Sequence, residues 1–115
     1  FTLVARDIIS EPVSHILIYP NPFDPRKEEV TVEYVLTKDV EVKIYILTVS
    51  GGLVKKFTFP KGIQGKSKGS PEGELNSFTW NGKNEKGDEV STGMYICKLV
   101  FDDKIEYRYI AVVKK

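Results

Sequence analysis

Two neighbouring runs limit what this chain can fold into. Val30, Val32, Tyr34 and Leu36 alternate with Thr31, Glu33 and Val35, and Val40, Val42, Ile44 and Ile46 alternate with Glu41, Lys43 and Tyr45. Successive side chains of a strand point to opposite faces, so a period of two makes a sheet with one buried and one wet face. A helix would need apolar residues at three- and four-residue spacing, and no segment shows that stripe. Thr37-Lys38-Asp39, short and polar, predicts a hairpin between the two runs. Further strands are expected at Val13 to Tyr19, Leu53 to Phe59, Leu75 to Trp80, Met94 to Phe101 and Ile105 to Val113, with Thr2 to Ile9 as an additional candidate. Gly51-Gly52 and Asp102-Asp103-Lys104 supply turns between them. About seven to eight short strands divided by turn signals predict an all-β, antiparallel sandwich.

Tyr19-Pro20-Asn21-Pro22-Phe23-Asp24-Pro25 interrupts that rhythm. Proline fixes φ, removes a backbone donor and drives the preceding residue toward extended geometry. Three prolines at this spacing make a stiff, non-helical corner. Tyr19 and Phe23 are placed to pin it to a core, with Phe23 packed and Asp24 turned to solvent.

The segment Lys61 to Glu74 carries Gly62, Gly65, Gly69 and Gly73 and one large apolar residue, Ile63. It is expected to form a mobile surface loop, because little apolar burial is available to offset its ordering entropy. Its glycines do not have the spacing of a phosphate cradle.

The remaining residues bear on chemistry mainly by exclusion. With 17 basic against 16 acidic residues the formal net charge is +1. That balance gives no electrostatic footprint for nucleic acid or an anionic membrane. No apolar run approaches the roughly 20 residues of a transmembrane helix. One cysteine forbids an internal disulfide, and Cys97 alternates with Tyr95, Leu99 and Phe101 onto one side, as a buried, inert thiol would. His15 is the only histidine, in plain strand context and without a nucleophile elbow. Zinc would need more Cys or His ligands than the two present. Glu28-Glu29 and Asp102-Asp103 are adjacent carboxylates, which a strand points to opposite faces. Asn81, Asn84 and Asp88 are candidate calcium ligands in an oxygen-rich, glycine-punctuated stretch. They miss the spacing of a calcium loop and read more simply as turn residues. Trp80, Phe57, Phe59, Tyr107 and Tyr109 could stack on a glycan if they shared an exposed face. Alternation with Lys56, Glu106 and Arg108 marks most of them as core or half-covered instead. No catalytic residue and no cofactor is predicted.

The corner Tyr19, Pro20, Asn21, Pro22 and Phe23, followed by Thr31 to Leu36, resembles the opening of the immunoglobulin-like domain family named after the flagellar hook-capping protein, and of the related C-terminal sorting domains of type IX secretion cargo. Trp80-Asn81-Gly82, Gly87 and Gly93-Met94-Tyr95 are similar to its later signature, and Tyr109 to Lys115 to its apolar last strand and basic finish. The match covers about residues 16 to 115. Ile46-Leu47-Thr48 departs from the usual Ile-Tyr-Asp, with Thr48 still able to form a side-chain turn. The resemblance implies an immunoglobulin/fibronectin-III-like sandwich over 15–115, preceded at 1–14 by a linker or an edge strand of a preceding region. It implies structural signature positions but no catalytic ones. The expected role is a non-catalytic C-terminal module of a larger secreted or cell-surface bacterial protein, acting in sorting, anchoring or support. Its partners would be the parent polypeptide, secretion machinery, or a cell-surface protein or glycan. The alternative is an accessory module that binds glycan or protein through the 61–74 loop or a sheet edge.

Overall fold

Nearly every alternating run becomes a strand in the computed structural model, which describes residues 13–115. In chain order these are β1 (Val13–Tyr19), β2 (Val30–Leu36), β3 (Val42–Thr48), β4 (Leu53–Phe59), β5 (Glu74–Trp80), β6 (Gly93–Phe101) and β7 (Lys104–Val112). They form two antiparallel sheets, β1-β2-β5 and β4-β3-β6-β7. The architecture is thus an all-β sandwich, with β4 lying beside β3 rather than completing the first sheet as in the seven-strand immunoglobulin constant arrangement. The strand candidate at Thr2 to Ile9 lies outside the described residues.

The inward positions are those that the alternation selects. Val30, Val32, Tyr34 and Leu36 of β2 meet Val42, Ile44 and Ile46 of β3 and Cys97, Leu99 and Phe101 of β6, all fully buried. Burial of each such side chain contributes about 1.5–3 kcal/mol, so this double layer dominates the stability of the fold.

One connection differs from expectation. The 37–41 segment is not a hairpin: β2 pairs with β1 and β5, whereas β3 pairs with β4 and β6. The chain crosses from one sheet to the other there. Alternation fixes which face is buried, and that face looks the same whether two strands lie side by side or stack across a core.

The 61–74 segment explains how the crossing is held, and it is not a free loop. Val40 N donates to Ser67 O at 3.2 Å and Gly69 N to the Asp39 carboxylate at 2.8 Å. Tyr34 Oη donates to Lys66 O at 2.6 Å. Ser67 is wholly buried; its hydroxyl accepts from Ile63 N at 2.8 Å and donates to Pro60 O. Buried Asn76 donates to Lys68 O at 2.7 Å and accepts from Lys68 N at 3.3 Å. A Cβ on Gly69 would stand 2.3 Å from the backbone of Lys38, so a side chain has no room at this approach. Ordering here is offset by satisfied polar groups instead of apolar burial.

Two turns follow local rules. Phe101 pairs with Lys104, leaving Asp102-Asp103 as a two-residue turn with Asp102 at φ 56°; Asp tolerates that left-handed geometry. Thr48 Oγ1 accepts from Gly52 N at 2.9 Å, the side-chain turn that the sequence allowed in place of Asp. His15 is exposed, at φ 58°, where the β1–β2 register shifts between Ser14 and Leu17, so its surroundings are a bulge and not plain strand.

Candidate functional site

The corner carries the chain from the edge of one sheet to the edge of the other. Asn21 does there what a backbone would do. Its Nδ2 donates to Tyr109 O at 3.0 Å, and its Oδ1 accepts from Ala111 N at 2.9 Å. Phe23 continues the pairing, with its N donating to Ala111 O and its O accepting from Val113 N, both at 3.0 Å. Residues 21–23 thus act as a short parallel strand on the outer edge of β7. Pro22 alternates to the side facing away from β7, where a missing donor breaks no ladder bond.

Asp24 closes this clamp and is buried, contrary to the solvent-facing position expected of it. Its carboxylate accepts from Arg26 N at 3.0 Å, from the Arg26 guanidinium at 3.1 and 3.2 Å, and from Lys115 N at 3.1 Å. Arg26 also donates to Lys115 O. The Arg26 guanidinium beside Asp24 holds its carboxyl well below the usual carboxylate range. From Tyr109 to Lys115 the chain is therefore gripped by one continuous segment, 21–26.

The later signature residues complete the same assembly. Phe23 is buried with its ring 5.7 Å from that of Trp80 in an edge-to-face arrangement, and Trp80 meets Tyr95 at 5.9 Å in the same way. Trp80 Nε1 donates to Lys83 O at 2.9 Å, and Tyr95 Oη donates to Ser91 O at 2.7 Å. Gly82, at φ +78°, lies under Pro25, and a Cβ there would come within 2.5 Å of the proline ring. Gly93 pairs with Val112, the residue that bridges to Phe23. Tyr19 stands apart: it is exposed on the outer face, and its hydroxyl donates to Glu33. It does not pin the corner to the core, because alternation along β1 turns Ile16 and Ile18 inward instead.

Two of the three calcium candidates have their side-chain oxygens in turn bonds. Asn81 Oδ1 accepts from Lys83 N at 3.1 Å, and Asn84 Oδ1 from Lys86 N and Asp88 N at 2.9 and 3.0 Å. Among the described residues no group of His, Cys, Asp and Glu gathers as a metal site would require. Burial pushes the Cys97 thiol up to about 12, far from a reactive thiolate.

The edge strand β7 departs from the sequence reading in one respect. Tyr107 and Tyr109 are 57% and 62% exposed, not core or half-covered. Glu106 and Arg108, with which they alternate, are the residues turned to the inner side, and they pair with each other at 3.1 Å. At a sheet edge long charged side chains reach water from the inner side, so polar residues no longer mark the outer face.

No protein-family model matches the chain, and no curated protein does. Solved structures do. The chain superposes on PorZ of Porphyromonas gingivalis, described as an essential bacterial surface component of the type-IX secretion system, with a TM-score of 0.59 at 19% identity over 86% of this chain and 11% of that one. On dimeric latent PorU of the same organism the TM-score is 0.62 at 19% identity, over 91% of this chain and 10% of that chain. FlgD of Pseudomonas aeruginosa gives 0.52 at 17% identity, over 88% and 75%. The fold is the one that these proteins share. It agrees with the resemblance carried by the corner and by the Trp80 and Tyr95 signatures. The chain spans only about a tenth of the length of PorZ and PorU.

Proposed function

We propose that this chain is a non-catalytic module of a larger secreted or cell-surface bacterial protein, serving in sorting, anchoring or structural support. The observation that carries this reading is the clamp. The most distinctive sequence in the chain is spent on gripping residues 109–115 against the sandwich, an investment in holding β7 and the residues after it rather than in forming a reactive centre. The fold shared with type IX secretion components supports a secreted or surface location. No helix among the described residues is long and apolar enough to cross a membrane. The non-catalytic reading is supported by the position of the cysteine thiol, with Cys97 sealed in the core. The 61–74 loop is tied to the fold through Ser67, Lys68 and Gly69, which supports a structural part for it.

Deleting Ile105 onward in the parent protein tests the proposal, with export and cell-surface yield as the readout. Loss of export while the upstream region stays folded is the expected result. Normal export and normal steady-state yield would refute it.

A further inference from the structure

The outer face of the β4-β3-β6-β7 sheet has no role in the clamp. Strand register lays its side chains in rows. One row, Leu53, Leu47, Ile96 and Tyr109, crosses all four strands and is apolar throughout. Its neighbour runs Lys56, Tyr45, Lys98 and Tyr107. Leu53, Tyr107 and Tyr109 are each more than half exposed, and Met94 and Ile105 nearly half. An outward sheet face is ordinarily polar; the other sheet mixes Thr31, Glu33, Ser77 and Thr79 with exposed Leu17, Tyr19 and Leu75, and its charged residue there is an acid.

The charges on this face share one sign. Lys43, Lys56 and Lys98 project from it, and no Asp or Glu stands at an outward position of its four strands. Lys43 reaches Glu41 at the rim, at 3.7 Å. The Lys56 and Lys98 ammonium groups form no ion pair among the described residues and lie 5.5 and 5.6 Å from the ring centre of Tyr45; Glu85, which pairs with Lys55 at 3.7 Å, accepts from the Lys56 backbone N at 3.0 Å. An apolar row beside unneutralised cations is complementary to a surface that is apolar at its centre and acidic beside it.

We infer that this face docks a protein surface of that kind, with aliphatic or aromatic side chains over the Leu53–Tyr109 row and Asp or Glu opposite Lys56 and Lys98. A second copy docking this same face across a two-fold axis fits poorly, since it would bring lysines and no carboxylates. A glycan would stack on Tyr107 or Tyr109 but leave aliphatic Leu53, Leu47 and Ile96 unmatched. Strand addition at the free part of the β7 edge is opposed by inward Glu106, which pairs with Lys104 at 3.3 Å and Arg108 at 3.1 Å.

A random peptide library panned against the immobilised 115-residue chain reads this chemistry directly. Enriched peptides should combine apolar or aromatic residues with two or more acidic ones, and their synthetic forms should lose roughly tenfold or more in affinity to Lys56→Glu/Lys98→Glu and to Tyr109→Ser. Panning the double lysine variant should return basic peptides in place of acidic ones. Thermal midpoints check that the variants fold, and Lys56→Gln/Lys98→Gln serves if charge reversal does not. The inference is overturned by no enrichment, by neutral or basic peptides on the native face, or by binding that ignores these substitutions. A dimer in sedimentation equilibrium that Tyr109→Ser abolishes would also overturn it, as would binding to phosphatidylglycerol vesicles that the lysine variants abolish.

Discussion

Replacing Phe23 by alanine removes the side chain shared by the corner, the last strand and the Trp80 turn. Phe23 is 1% exposed and packs edge-to-face on Trp80 at 5.7 Å. Phe→Ala in a core costs about 3–5 kcal/mol through lost transfer energy and the cavity left behind. The upper half of that range is expected, because Trp80 is itself held by Tyr95 and by a bond to Lys83 O and cannot collapse into the space. Against a total stability of about 5–15 kcal/mol the loss is large. At this chain length each kcal/mol moves the thermal midpoint by roughly 3–6 °C, so a fall of roughly 12–30 °C is expected. Calorimetry measures it, with Tyr19→Ala as a control on an exposed corner aromatic that should shift the midpoint by only a few degrees. Amide exchange gives a second readout: Val113 donates to Phe23 O, and it should lose protection before the centre of β3 does. A Phe23→Ala midpoint within a few degrees of native, or exchange unchanged at Val113, would refute the bracing role.

Three further outcomes follow from the same geometry. Gly69→Ala drives a Cβ to 2.3 Å from the Lys38 backbone and should destabilise by at least about 2 kcal/mol in urea unfolding, whereas Gly65→Ala meets open space and should cost only its left-handed φ of 77°. Asp24 has its folded carboxyl held below the ordinary value near 4, so its contribution is fully present above about pH 4 and is lost as pH falls below it; melts from pH 6 to pH 2 should fall less steeply for Asp24→Asn than for the native chain. Cys97 should resist iodoacetamide in the folded protein near pH 8 and react fully in denaturant, since burial holds its thiol up to about 12.

Much of this protein was legible as sequence. The period of two in β2 and β3 fixed which side chains would be buried, and all of Val30 to Leu36 and Val40 to Ile46 at those positions are fully enclosed. Phe23, Trp80 and Cys97 were readable as packed residues for the same reason: apolar size in a strand or turn context allows few other places. Where the readings missed, the deciding contact came from far along the chain. Asp24 is buried because Lys115 N, 91 residues away, arrives to satisfy it. Ser67 and Asn76 order a glycine-rich segment through bonds whose partners no local pattern announces.

Alternation by itself states that a strand has two unlike faces. It does not state which neighbour lies beside the strand, so the 37–41 crossing read as a hairpin until register placed β2 and β3 in different sheets. Nor does it say which face of an edge strand turns inward, and Tyr107 and Tyr109 stand on the outer one. The candidate site lay between these limits. Tyr19 to Pro25 is recognisable as a corner, but that it clamps β7 is decided only when that strand comes alongside Asn21. A backbone hydrogen bond depends on what stands opposite it, and that is a property of the tertiary structure.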